Sequence, residues 1–173
     1  MRARFATFCA VLSLICLAQA PQAPAEPSVG PPRVTSRLTA PLPLPYDEAA
    51  DATEALAAAL ARAGKAGKLV LLDFGGNWCP DCRIVAGTLA LAEVRPAVDK
   101  EFEVVMVDVG RLTKNLDLAH RYGVTVTAVP TVIVLDPKGR MLNSGNPSAL
   151  SDARTMSTQA IVDTIFGWAK AAG

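Results

Sequence analysis

Two cysteines three positions apart, Cys79 and Cys82 in the stretch NWCPDCR, point most directly to chemistry in this 173-residue sequence. Such a pair can bind a soft metal ion, hold a small disulfide, or cycle between dithiol and disulfide and so carry two electrons. A structural disulfide across so short a loop stabilises little, because the closure entropy it removes is small. Structural zinc wants four nitrogen or sulfur ligands. The whole chain has four cysteines and one histidine, and two of the cysteines, Cys9 and Cys16, lie in an apolar N-terminal stretch. Without that stretch only Cys79, Cys82 and His120 remain, so an internal zinc site cannot be completed. Cu(I) held by two thiolates is the metal reading that stays open. His120, in the polar run LDLAHRYG, reads as a surface residue.

The surroundings of the pair favour electron transfer. An apolar run, LVLLDF at 69–74, ends just before it, and helical sequence, RIVAGTLALAEV, begins just after it. A cysteine at the junction faces the unpaired N–H groups and the positive end of the helix dipole, and both stabilise a thiolate, the nucleophile of disulfide exchange. Pro80 suits the first helical turn, where its missing N–H costs nothing. Asp81 places a negative charge inside the motif, whereas Arg83 places a positive one beside it. Asp73 interrupts the apolar run. It reads either as a strand-end residue or as a buried acid whose ionisation is opposed by its surroundings and which can exchange a proton with a neighbouring thiol.

The elements that must position these residues follow from pattern and punctuation. Residues 1–25 read as a signal peptide: Met1-Arg2-Ala3-Arg4 is a short positive start, an apolar stretch follows to about Ala20, and Ala23-Pro24-Ala25 offers a cleavage site. The apolar stretch is short for a membrane span, which needs roughly 20 residues, so no permanent span is expected, with an uncleaved anchor as the other reading. Removal of this segment leaves Cys79 and Cys82 alone in an oxidising compartment. Residues 26–45, rich in Pro and Ala, read as a linker. Residues 46–173 read as one domain.

Within that domain a helix runs through AADATEALAAALARA, capped at Asp47 or an adjacent residue and stopped at Gly64. A strand at 69–74 is followed by the cysteine helix, which bends near Gly87 and ends before Pro96. A second strand spans 103–109, a short helix 115–123, and a third strand 129–136 turns at Pro137-Lys138-Gly139 into RMLNS as a hairpin. Thr158 caps a last helix, with Phe166 and Trp168 in the core. Strands alternating with helices and closing on a hairpin and a helix describe an α/β fold: a central mixed sheet of about four to five strands flanked by helices. The loop NSGNPSALSD carries no assigned role, nor does DARTM.

The pieces LLDFGGNWCPDC, VVMVDV, the YGV segment, VPTVIVLDPKGRML and the final helix, taken in this order over about 46–170, resemble the thioredoxin superfamily. The resemblance implies a thioredoxin fold and an exported bacterial thiol–disulfide oxidoreductase needing no cofactor. It makes Cys79 the attacking and Cys82 the resolving cysteine, and Asp73 the buried acid that helps move the resolving proton. Trp78 matches the tryptophan before the motif, and Val129-Pro130 the cis-proline loop that leaves a backbone edge free for substrate. The sequence departs from thioredoxin itself in its Pro-Asp dipeptide between the cysteines and in Val104, where thioredoxin has a lysine near the buried acid. The YGVTVTAV segment before Pro130 is also about two residues longer.

The direction of electron flow rests on small terms. The negative charges of Asp81 and Asp73 oppose a thiolate and so favour the disulfide, making the dithiol a better electron donor; the helix N-terminus and Arg83 act the other way. Strongly reducing and strongly oxidising members differ by roughly 7 kcal/mol, from about 150 mV at two electrons, while one exposed carboxylate is worth about 1 kcal/mol. The reading is a periplasmic protein-disulfide reductase with Cys79, Cys82 and Asp73 as catalytic residues. Trp78, Val129 and Pro130 contact substrate, and Pro80 and Asp81 tune the potential. Its partners are a protein disulfide and a membrane-linked electron donor. A disulfide oxidase or isomerase, a Cu(I) chaperone and a non-catalytic adaptor remain as alternatives. With a formal net charge of +1 and no charged block, nothing points to nucleic acid or to an anionic membrane surface, and no nucleic-acid partner is expected. Five Phe, two Tyr and two Trp are likewise too few for a base-stacking platform.

Overall fold

The structure is a computed structural model that describes residues 30–170. Residues 1–25, read above as a signal peptide, and the start of the 26–45 stretch lie outside the described residues. Among those described, no helix is long and apolar enough to cross a membrane.

Helix α1 (Ala52–Ala66) starts at Asp51, whose carboxylate accepts from the backbone N–H of Thr53 and Glu54. The cap is thus Asp51 itself, and the helix runs past Gly64 to Gly67, which takes the left-handed φ of 67° that ends it. Strand β1 (Leu69–Gly75) is buried along its whole length, as a central strand covered on both faces must be. Helix α2 (Pro80–Leu89) carries Cys82, and α3 (Arg95–Glu101) opens on Pro96. The cysteine helix thus ends before Pro96, at Leu89, and Pro96 lies in the first turn of a separate helix, where its ring is tolerated. Strand β2 (Phe102–Asp108), helix α4 (Leu116–His120), strand β3 (Thr131–Leu135) and helix α5 (Thr158–Lys170) complete the order. The cap of α5 falls one residue before Thr158, on Ser157, whose hydroxyl accepts from the Ala160 N–H.

The sheet has three strands in the order β2-β1-β3, with β1 parallel to β2 and antiparallel to β3. The mixed sheet stands, but with fewer strands than the four to five expected. RMLNS does not form a ladder: only an isolated bridge joins Leu135 to Met141. The Asn143 side chain takes the place of a strand edge, accepting from Val134 N at 2.9 Å and donating to Val132 O at 2.8 Å. The amide thus satisfies two β3 backbone groups that a further strand would have paired, while Val134 O and Val132 N pair with Leu142 N and Pro147 O.

One face of the sheet packs Val70, Leu72 and Phe74 against α1 and α4. The other packs Leu69, Leu71, Val132 and Val134 against α2, α3 and α5, where Phe102 and Phe166 meet edge to face at 5.5 Å. Trp168 lies half-buried against this second cluster, and His120 is exposed.

The stretch read as a linker behaves differently from residue 30 on. Thr35 and Ser36 donate their backbone N–H groups to Glu93 Oε1 at 2.7 and 2.8 Å. Val34 N donates to Gln159 Oε1 at 2.7 Å, and Gln159 Nε2 donates to Pro32 O at 3.1 Å. Arg83 holds the carbonyls of Leu42 and Pro43. Residues 30–45 are therefore a strap along α2 and α5. Gly87 lets it approach closely, since a Cβ there would sit 3.3 Å from both Leu38 and Leu42. Its backbone groups are satisfied by side chains 40 or more residues away in sequence. No local periodicity can announce that.

Candidate active site

The C-terminal end of β1 delivers the chain to the cysteines. Gly75 is where this approach is tightest: a Cβ there would lie 2.7 Å from Cys82 Sγ and closer still to the Tyr46 hydroxyl. Glycine is required by crowding, not by its backbone angles. Asn77 then pins the loop, accepting from Tyr46 N at 3.1 Å and donating to Tyr46 O at 2.8 Å.

Cys79 is the N-cap of α2. Its Sγ accepts the Cys82 N–H at 3.3 Å, and Pro80 follows as the first helical residue. The Val129–Pro130 peptide is cis, and Val129 O accepts from the Cys79 thiol at 3.6 Å. Both cysteines carry free thiols; Cys79 is 4% exposed and Cys82 not at all. Cys79 is therefore the sulfur nearer to solvent. Beside it Trp78 stands 41% exposed. Its indole N–H donates to Gly110 O, and the Arg111 guanidinium lies 5.1 Å over the ring. Gly76 has no Cβ to collide with that indole.

Below the cysteines, Asp73 sits in the middle of β1, in register with Met106 on one side and Val132 on the other. It is not a strand-end residue. It is fully buried, and neither carboxylate oxygen has a hydrogen-bond partner. Burial pushes it up to about 7, against a smaller downward pull from the Tyr46 hydroxyl. Cys82 is pushed up as well, first by burial, then by its contact with Cys79 and by the Asp73 charge. An acid that titrates near neutrality beside a thiol reluctant to ionise can accept that thiol's proton.

Asp81 departs from the expectation of an exposed, uncompensated charge. It is 1% exposed and is gripped by Arg154, which folds over it from a short 3-10 helix (Ala153–Thr155). The Arg154 backbone N–H donates to Asp81 Oδ1 at 2.7 Å; Nε donates to both carboxylate oxygens at 3.0 Å, and Nη2 adds a contact to Oδ2. These hydrogen bonds hold the Asp81 carboxyl below its usual range, and the guanidinium charge also acts on Cys79. Arg83, expected to supply the positive charge near the motif, is spent on the strap. The cation that matters at the motif is Arg154, 73 residues downstream in the segment DARTM, where nothing local distinguishes it from a surface arginine.

This pairing has a measurable consequence. Arg154→Gln leaves Asp81 with its charge unbalanced next to Cys79, which disfavours the thiolate of the reduced state. The reduction potential of the variant, read in thiol–disulfide buffers at pH 8, falls by on the order of tens of millivolts. An unchanged or higher potential would show that Asp81 does not tune the pair.

A family model described as thioredoxin-like matches residues 51–137, half of the chain. The chain belongs to the thioredoxin-like family. A disulphide isomerase from Xylella fastidiosa Temecula1 is 39% identical over 73% of this chain and 96% of its own, with a TM-score of 0.67. A protein of unknown function from Pseudomonas aeruginosa is 20% identical over 70% of this chain and 86% of its own, with a TM-score of 0.44. No curated protein matches the chain. Fold, dithiol and family together make it a thiol–disulfide oxidoreductase of the thioredoxin superfamily.

Proposed function

We propose that the protein is an exported protein-disulfide reductase. The Cys79 thiolate attacks a substrate disulfide, a mixed disulfide forms, and Cys82 displaces the substrate as a thiolate, leaving the enzyme oxidised. Trp78 and the Val129–Pro130 edge flank Cys79 and are the surfaces a substrate chain would meet. The N-terminal residues 1–25 act as the signal that exports it to a periplasm, where a membrane-linked donor returns the electrons.

The observation that carries the reducing direction is the buried acid under the resolving cysteine. A base that generates the Cys82 thiolate in place shortens the life of the mixed disulfide and releases substrate reduced. The Asp81 charge, balanced by Arg154, contributes less to this direction than a free carboxylate would. Isomerase activity is the second reading, favoured by the 39% identity to the Xylella fastidiosa disulphide isomerase; it requires the mixed disulfide to persist long enough for the substrate to rearrange.

The test is the reduction potential of the Cys79–Cys82 pair, equilibrated in glutathione and dithiothreitol buffers. A reductase poises near the thioredoxin value of about −270 mV. A value near about −180 mV would favour isomerisation, and one near about −120 mV would reverse the proposed flow. Absence of any two-electron transition would point to a binding module.

A further inference from the structure

Three polar atoms are buried without a partner among the described residues: the two Asp73 oxygens and the Tyr46 hydroxyl. Buried polar groups are nearly always satisfied, so three orphans together call for an explanation in chemistry. They are also neighbours. The Tyr46 hydroxyl and Cys82 Sγ both crowd the space above Gly75, and Asp73 and Cys82 both act on that hydroxyl. Tyr46 is held there from two sides: its ring is in the core, 3% exposed, and its backbone is clamped by both ends of the Asn77 amide. Because Asn77 lies two residues before Cys79, the clamp ties the hydroxyl's position to the active-site loop.

We propose that Tyr46 is a positioning residue for the resolving half of the dithiol, its hydroxyl orienting the Asp73 carboxyl toward Cys82 Sγ for proton transfer. This rests on the dithiol mechanism above and adds a group to it. In the resolving step the Cys82 thiol gives its proton to an Asp73 oxygen. The sulfur electron pair then forms a bond to Cys79 Sγ, the bond from Cys79 to the substrate sulfur breaks, and the substrate leaves with that electron pair as a thiolate. The enzyme is oxidised to the disulfide and the substrate sulfur is reduced. While Asp73 is ionised, the Tyr46 O–H is the donor available to it, and this lowers the cost of the anion that accepts the proton. The groups facing Asp73 are few: Tyr46 from the segment before α1, Cys82 from α2, and the apolar Met106 and Val132 from the flanking strands.

The test uses dithiobis(nitrobenzoate) as the disulfide. Reduced protein releases a first thionitrobenzoate when Cys79 attacks and a second when Cys82 resolves the mixed disulfide, and stopped-flow absorbance separates the two. Tyr46→Phe moves the acid limb of the second release upward by about one pH unit, making that step roughly tenfold slower below the limb. The first release serves as the reference. At pH 4, where Asp73 is protonated, folded stability is unchanged or higher, because a buried hydroxyl has been removed from the interior; above the limb it is lower, because the Asp73 anion has lost its donor. In the Asp73→Asn background the same substitution has no further effect, since the residue it acts through is gone. A wild-type pH profile in Tyr46→Phe, or an effect undiminished in the Asp73→Asn background, would overturn the proposal. Should Tyr46→Phe fold poorly, NMR titration of the wild-type Asp73 carboxyl carbon and Tyr46 Cζ decides: a shared midpoint supports the coupling and independent titration refutes it. A wild-type protein that releases no second thionitrobenzoate would instead sink the dithiol mechanism.

Discussion

Replacing Cys79 by serine leaves a folded protein without disulfide-exchange activity. Serine is itself a good N-cap, so α2 keeps a side-chain acceptor for the Cys82 N–H, and the loss is chemical and not structural. What disappears is the one sulfur that is both at the helix N-terminus and next to the open Val129 edge. Cys82→Ser has the opposite phenotype: the first step proceeds, the second cannot, and substrate accumulates in covalent complex with Cys79. Insulin reduction reads the turnover of both variants, and mass spectrometry under non-reducing conditions reads the trapped adduct. Residual turnover in Cys79→Ser near the wild-type rate would refute the assignment of the attacking cysteine. So would a Cys82→Ser protein that turns over normally and traps nothing. The exposures set the order: Cys82, wholly buried behind Cys79, is reached by Cys79 and by little else.

The second large effect is on stability. Asp73 titrates near 7 in the folded protein, well above the usual carboxylate range, because burial raises the cost of its charge by more than the Tyr46 hydroxyl lowers it. Between about pH 4 and pH 7 the folded chain therefore binds a proton that the unfolded chain has released. The associated stability is fully present at about pH 4 and falls as pH rises through the folded value. A shift of about three units corresponds to a loss on the order of 4 kcal/mol at pH 8. Asp73→Asn, neutral at every pH, is then more stable than the wild type at pH 8 by a similar amount and nearly equal to it at pH 4. Urea unfolding of the reduced proteins at the two pH values measures this. A stability difference of the same size at both would mean that Asp73 is not held near neutrality. The same variant resolves mixed disulfides slowly. Higher stability at pH 8 together with slow resolution in Asp73→Asn would mark Asp73 as a site where function is kept at the expense of the fold.

Local pattern carried much of this protein. The apolar run at 69–74, the alternation of strand and helix, and Cys79-Pro80-x-Cys82 at a strand-to-helix junction were enough to read the α/β class and to place a cysteine pair at a helix N-terminus, because each depends on neighbours within a turn or a strand; the thioredoxin-like order came from the resemblance of whole segments. Boundaries set by short-range competition were read less well: the cap is at Asp51 and not nearer Asp47, and the cysteine helix ends at Leu89, with Pro96 in a separate helix. Tertiary structure alone decided the features that depend on long-range satisfaction of polar groups. Asn143 replaces a strand, Glu93, Gln159 and Arg83 turn a Pro-rich stretch into a strap, and Arg154 reaches across the chain to neutralise Asp81. The same holds for the unpartnered group of Tyr46 and Asp73 against Cys82. The type of a polar residue is visible in a sequence, but the energy of its charge is set by burial and by partners. Those are properties of the packed chain.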